Sequence, residues 1–335
     1  MPIRPRDSQP ELFDSFLASP PKNEVLRRLN ALLDWDALGR LVEPTYSDDP
    51  RGRTALDPRL MIKVLLLQRL YGLSDPLIEQ EIGDRLSFRE FLGVRAKDRA
   101  PDETSIVRFR DRLRAHGLFD TLRLAIDAQL AARGVAVRAG SIKIIDASLI
   151  QAATNPPRQQ EADSQNGAEQ NAGSGRKDCD ADFTMRNGGP HFGYKLHAAQ
   201  DRQTGLISAH AVTVASTHDS QVFEQLLDGD EAEVLADKAY DSAAHRALLR
   251  KNKTQCSILR KAVRNKPLSW WHAGRNRTLS KTRNFIEGTF GTLKNRFDLK
   301  RARYVGLARV KEQFSWTVLA YNLRRAAALS REQCA

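Results

Sequence analysis

A change of hydrophobic period near Gly134 constrains the fold of this chain more than any other feature. Before it, apolar residues recur only at helical spacing: Leu26, Leu29, Leu32 and Leu33, then Leu60, Met61, Val64, Leu67 and Tyr71, then Ile106, Phe109 and Leu113. A last helical run extends from Phe119 to about Ala132. After it come short β-rich runs at Ser141–Ser148, His191–His197, Leu206–Val214, Glu233–Asp237 and Cys256–Leu259. Arg202-Gln203-Thr204-Gly205 reads as a hairpin turn between the second and third of them. Helices are expected from about Asp219 to Leu227, from a Ser242 cap to Arg250, and from about Thr282 onward, with 260–280 a basic loop. Three strands followed by alternating helices and strands require a mixed sheet packed by helices.

That order is ribonuclease-H-like, so the expectation is an α/β fold with a mixed sheet and flanking helices behind an all-helical N-terminal domain. Within the helical part, Asp57 caps a helix with Pro58 at its first position. Gly72-Leu73-Ser74 breaks that helix and Ser74-Asp75-Pro76 starts the next, a helix-turn-helix pattern that any helical bundle also supplies. The expected organisation is a flexible proline-rich arm over 1–23, a helical N-terminal domain over 24–133, and a ribonuclease-H-like domain over 141–335. A Gly/Asn/Gln/Ser-rich stretch from Asn155 marks a mobile loop, placed at 155–190. At 335 residues the chain is long enough for two such cores.

No apolar run approaches about 18 residues, so no membrane partner is expected. The polar start of the chain lacks a signal-peptide core, which points to the cytoplasm. Cys179, Cys256 and Cys334 are far apart and make no metal-ligand spacing, so zinc and disulfide frameworks are excluded.

Charge narrows the function. The net charge is +12, yet Arg250 to Lys311 holds 18 Lys and Arg against Glu287 and Asp298, a net of +16. A basic block of this kind is a footprint for a polyanion, though a solvated basic surface has the same composition. Inside it, Ile286, Phe290, Leu293 and Phe297 form the core stripe of a helix, and Arg283, Glu287 and Lys294 form a second stripe. Gly288 and Gly291 weaken that helix by about 1 kcal/mol each relative to Ala, which suggests a close approach. Asp146 and Asp237 each end an apolar run, where a carboxylate is costly without a counter-charge or ligand. Ligands gather beyond the carboxyl ends of strands in open α/β sheets, and turn capping is the alternative for either Asp alone.

These blocks together resemble the DDE transposases of bacterial insertion sequences, the InsH-like family (insertion sequence family five). The resemblance rests on Ile144-Ile145-Asp146-Ala147-Ser148, Phe192-Gly193-Tyr194-Lys195-Leu196-His197, Leu235-Ala236-Asp237-Lys238-Ala239-Tyr240, Thr217-His218-Asp219 and Arg283 to Lys294. Leu56 to Leu113 looks like the family's N-terminal domain. Around the last acid, relatives carry Tyr, Arg, Glu and Lys; here Arg283, Glu287 and Lys294 fit, while Ser280 stands at the tyrosine position.

The resemblance implies a transposase that cuts double-stranded DNA at terminal inverted repeats and joins the freed 3′-OH to target DNA. Asp146, Asp237 and Glu287 would be the catalytic metal ligands. Such hard oxygen donors suit Mg²⁺ or Mn²⁺, two ions about 3.5–4 Å apart. Arg283 and Lys294 would hold phosphates, with Lys300, Arg301 and Arg303 extending the track. Lys195 and Lys238 touch phosphate or are merely solvated. Trp270 and Trp271 stack on an exposed base or form a local apolar anchor. His197 and His218 read as structural, and Asp178, Asp180 and Asp182 lack the pattern of a calcium loop. A homo-oligomer on DNA is expected. The rival readings are an inactive or domesticated DNA-binding derivative, which would not need the three acids, and a host ribonuclease-H-like nuclease.

Overall fold

The computed structural model describes residues 23–46, 55–95, 98–135, 140–156, 177–186, 188–262 and 267–332. The expected arm and residues 157–176 of the expected loop therefore lie outside the described residues. The chain divides into two compact units, Met1–Ala136 with Leu319–Ala335, and Val137–Val318.

The first unit is helical: α1 (Glu24–Leu32), α2 (Trp35–Val42), α3 (Pro58–Leu70), α4 (Asp75–Asp84), α5 (Leu86–Leu92), α6 (Glu103–Ala115) and α7 (Leu118–Ala132). Its helix starts follow local chemistry. Asn23, Asp34, Asp57, Ser74 and Asp102 each accept a hydrogen bond from a backbone N–H of the first turn. Helix α3 is the centre, because every residue from Met61 to Leu70 is buried. The charges this encloses are answered in place. Lys63 Nζ donates to the Phe91 carbonyl at 2.9 Å. Arg110 grips Asp75 with both terminal nitrogens, at 2.6 and 2.5 Å.

The second unit holds one six-stranded sheet: β1 (Ile142–Gln151), β2 (Asp182–Arg186), β3 (Gly189–Asp201), β4 (Ile207–Val214), β5 (Glu233–Ala236) and β6 (Gln255–Ile258). β3 pairs antiparallel with β1, β2 and β4, whereas β1–β5 and β5–β6 are parallel. The order β4-β3-β1-β5-β6, with α8 (Ala243–Lys251) between the last two strands, is the ribonuclease-H-like mixed arrangement expected. Ile145, Val234, Ala236 and Ile258 of the strands pack with Phe223, Leu226, Tyr240 and Leu249 into one core. Two long helices follow, α9 (Trp270–Arg296) and α10 (Leu307–Glu332). Among the described residues no helix is long and apolar enough to cross a membrane.

Four expectations change. The stretch 155–190 contains β2 and the start of β3, held by ladder bonds to each other and not by an apolar face. Residues 270–280 are the first turns of α9, started where the Ser269 side chain accepts from the His272 N–H, not part of a loop. The helix expected at 219–227 is two 3-10 turns, Asp219–Val222 and Glu224–Leu226, just long enough to bury Val222, Phe223 and Leu226. Finally, α10 belongs to the sheet unit through Val318 and to the helical unit from Leu319, so 319–335 part from the catalytic domain.

Candidate active site

Asp146 does not end its strand. It sits in the middle of β1, opposite Ala198 of β3, and β1 runs on to Gln151. What ends there is the parallel ladder to β5, whose last pair is Ile145 with Ala236. Asp146 and Asp237 are therefore the next two residues in register on neighbouring strands. Directly after Asp237 the β5 backbone turns away into the Lys238–Tyr240 turn.

Glu287 comes to them through α9. Ile286, Phe290 and Leu293 are buried, and the Thr289 hydroxyl meets the buried Gln200 side chain of β3 at 2.7 Å. These contacts fix the rotation of α9, and Arg283 and Glu287 occupy the face one step round from that core. Arg283 Nη1 reaches Asp146 Oδ2 at 2.6 Å and Nη2 reaches Glu287 Oε1 at 3.1 Å. One guanidinium thus joins the acid of the central strand, 137 positions before it in sequence, to the acid of the helix. Arg283 was expected to hold a DNA phosphate; in this structure both of its terminal nitrogens pair with carboxylates.

The electrostatics are those of crowded carboxylates. Burial pushes the Asp146 carboxyl up to about 6; the Arg283 charge and the Ala147 N–H pull the other way, and Asp237 and Asp219 add repulsion. Burial also raises the Tyr240 hydroxyl, with Asp219, Asp146 and Asp237 acting in the same direction. Asp219 is thus a fourth acid in the neighbourhood. The Asp219–Val222 turn packs on the Lys238–Tyr240 turn directly after Asp237. Its only sequence signal was membership of Thr217-His218-Asp219.

These residues suit divalent cations by a test internal to the structure. Asp146 is an acid whose charge is disfavoured by burial and by neighbouring carboxylates, all donors are hard oxygens, and Glu287 is 54% exposed and reachable. Among the described residues, the acid cluster whose oxygens all lie within 4.8 Å of one another is Asp228, Asp230 and Glu231. The buried Lys143 ammonium already lies between its carboxylates, 2.9 Å from Glu231 and bonded to Asp228.

The expected DNA contacts divide. Lys238 and Lys300 are exposed, and Lys294 is half-buried. Arg301 is exposed while its Nε donates to the Ala152 carbonyl, and Arg303 pairs with Asp298 at 2.9 Å. Lys195 is enclosed, bonded to Asp219 at 2.9 Å and to the Thr217 carbonyl at 2.6 Å. In this structure it is neither merely solvated nor turned outward, since its ammonium is shared between these two partners. Trp270 is 86% exposed, so it anchors nothing among the described residues. Among the described residues, nothing apart from the helix's own nearby backbone and the adjoining residues stands within 4 Å of a Cβ placed on Gly288 or Gly291, so the close approach expected there is not seen among them.

The remaining candidates are structural. His197 bonds Thr213 at 2.9 Å, and burial pushes its pKa down to about 4. His218 caps the turn that carries Asp219. Asp178 and Asp180 accept the Gly306 and Leu307 N–H groups at the start of α10, and the Tyr194 hydroxyl also donates to Asp178.

Comparison with known proteins agrees with this geometry. Residues 14–112 match a family described as "Transposase domain (DUF772)", and residues 138–323 match "Transposase DDE domain". The chain is 36% identical over 223 residues to the transposase for insertion sequence element IS1106 of Neisseria meningitidis serogroup B, covering 66% of this chain and 77% of that one. Two solved structures align more loosely. A piggyBac transposase synaptic complex with hairpin DNA has a TM-score of 0.42 at 9% identity, over 93% of this chain and 74% of that one. A pre-cleavage Mos1 transpososome has a TM-score of 0.21 at 11% identity, over 91% of this chain and 97% of that one. Likeness at that level carries no argument. The family match covers more than half of the chain and spans both strand acids and the acid on α9, so the chain belongs to the DDE transposases of bacterial insertion sequences.

Proposed function

We propose that Asp146, Asp237 and Glu287 are the metal ligands with which this transposase cuts insertion-sequence ends and joins them to target DNA. The observation that carries the reading is the Arg283 bridge, which brings Glu287 of α9 to Asp146, while Asp237 stands beside Asp146 in register. Membership of the family implies divalent-metal chemistry, and the all-oxygen donor set favours Mg²⁺ or Mn²⁺. When bound, two such ions would activate the attacking oxygen and stabilise the leaving one.

The chain's own part is positional. Asp146 and Asp237 are fixed by sheet register, Glu287 by the seating of α9, and Arg283 keeps the strand acid and the helix acid together. In the first step water attacks phosphorus and the bond to the transposon 3′ oxygen breaks. In the second, that 3′-OH attacks a target phosphodiester, and the target strand leaves with a free 3′-OH. Lys294, Lys300, Arg301, Arg303 and Lys238 would neutralise backbone phosphates along the way. Two ends must meet one target, so the working form is a homo-oligomer on terminal inverted repeats, in the cytoplasm at the nucleoid.

The test is cleavage of a labelled insertion-sequence end by Asp146→Asn, Asp237→Asn and Glu287→Gln variants in Mg²⁺ and Mn²⁺. Each should lose cleavage by at least about a thousandfold while binding DNA within a fewfold of wild type. Metal-dependent nicking retained in all three would sink the assignment.

A further inference from the structure

The early turns of α9 leave one side of the helix bare. At about 100° per residue, Arg275 falls on the side that later buries Ile286, Thr289, Phe290 and Leu293. It donates to the Cys256 carbonyl at 2.7 Å and to the Ile258 carbonyl at 3.3 Å, both on β6. Asn276 falls on the side of Arg283 and Glu287, and its side chain bonds the Arg260 N–H and carbonyl, each at 2.9 Å. A third side, roughly 120° from each of these, carries Trp270, Arg277, Lys281 and Phe285, all of them exposed. Gly274 and Gly288 fall on it too. Among the described residues, nothing apart from the helix's own nearby backbone and the adjoining residues stands within 4 Å of a Cβ placed on either.

Two observations mark this bare side as a contact surface. First, its rings pack on nothing: Trp270 is 86% exposed and Phe285 46%, and among the described residues neither makes a ring contact. An indole left in water forgoes the burial that its area could give. Second, its cations are unclaimed. Among the described residues Arg277 and Lys281 have no ion-pair partner, and no acid occurs from Trp270 to Ile286. Charge then selects the occupant. The tract from Arg250 to Lys311 nets +16, so it draws a polyanion and repels a second copy carrying the same tract. The rings select further. A duplex keeps its base faces in the stack, whereas an unpaired strand offers them to aromatic side chains and its phosphates to the cations between. Along the axis the order is ring, cation, cation, ring over about 22 Å, room for roughly six stacked nucleotides.

We propose that Trp270, Arg277, Lys281 and Phe285 form a track for an unpaired DNA strand, the rings stacking on bases and the cations holding phosphates between them. The track rests on the reading of Glu287 as part of the cutting site, since cleavage on the adjoining side of α9 supplies an end that can part from its complement. Trp271 is 57% exposed and edge-on to His272 at 5.4 Å. It lies about 100° round from Trp270 and outside the track.

The test is the tryptophan fluorescence of the full chain, titrated in chelator with an unpaired oligonucleotide of about 12 nucleotides and, separately, with the matching duplex. The unpaired strand should quench the emission and the duplex should not. Trp270→Ala should remove most of the quench and weaken strand binding by about fivefold or more, with the salt dependence unchanged. Trp270→Phe should lose the quench yet keep most of the affinity, a split that a merely structural ring would not give. Arg277→Gln and Lys281→Gln should each reduce the slope of log K against log salt by about 0.7. Equal quenching by the duplex, or full quenching in Trp270→Ala, would overturn the track. So would a change of oligomeric state in Trp270→Ala with strand binding intact, which would give the ring to a second copy. If the acid variants still cut DNA while the quench behaves as expected, the metal-ligand assignment fails and the track stands.

Discussion

The crowding of carboxylates around Asp146 predicts that its removal makes the metal-free protein more stable while destroying its activity. Asparagine keeps the shape of the side chain and discards the charge. Burial, opposed by Arg283 and reinforced by Asp237 and Asp219, lifts the carboxyl from 3.8 to about 6. The folded value is the higher one, so this acid adds no penalty below about pH 4 and a growing penalty as pH rises through 6. Two units at about 1.4 kcal/mol each put the full penalty near 3 kcal/mol at pH 7.5. For a unit of this size, roughly 2–4 °C per kcal/mol gives Asp146→Asn a melting point about 6–12 °C above wild type. The assay is thermal unfolding in chelator at pH 7.5 and again at pH 5, where the advantage should fall to about half. Millimolar Mg²⁺ should narrow the gap by stabilising only the wild type, since a ligand stabilises the state that binds it. An Asp146→Asn protein no more stable than wild type at pH 7.5, or an advantage that ignores pH, would refute the reasoning.

Gly193→Ala should cost about 3 kcal/mol or more by urea unfolding, since its Cβ would fall 2.2 Å from the Ile150 carbonyl oxygen and 2.8 Å from the Ala152 nitrogen. Both are backbone atoms of the β1 end, so no side chain can yield. In the helical unit, burial alone would raise the Asp75 pKa, but the bonds and charge of Arg110 more than offset it, and the net shift is downward. That stability is present above the unfolded value near 4 and is lost as pH falls through the lower folded value. Asp75→Asn should therefore cost about 3 kcal/mol at pH 7, with the difference from wild type shrinking below pH 4. Trp270→Ala should melt within about 0.5 kcal/mol of wild type, because the ring packs on nothing described.

What the sequence revealed follows the range of each interaction. Caps at Asp57, Ser74 and Ser242 were legible because the side chain and the N–H it accepts from lie two or three residues apart. The stripe of Arg283 and Glu287 was legible for the same reason. β2 was not, since Asp182-Phe183-Thr184-Met185-Arg186 buries neither face and only its ladder to β3 makes it a strand. The first turns of α9 were hidden likewise: its buried residues begin at Ile286, so the earlier turns carry no apolar stripe, and Ser269 was the single local signal.

The active site shows the same division more sharply. Sequence put Arg283 and Glu287 on one helix face but did not reveal the pairing of Arg283 with Asp146, because a helix stripe shows only which residues share a face. That Arg283 turns inward to Asp146 depends on the seating of α9, and that seating depends on Gln200 and Thr289, 89 positions apart. The consequence is chemical. A cation that bridges two acids holds them together before any metal arrives and must share them once it does. On the metal-ligand assignment proposed above, Arg283 and the ions therefore compete for the same two acids.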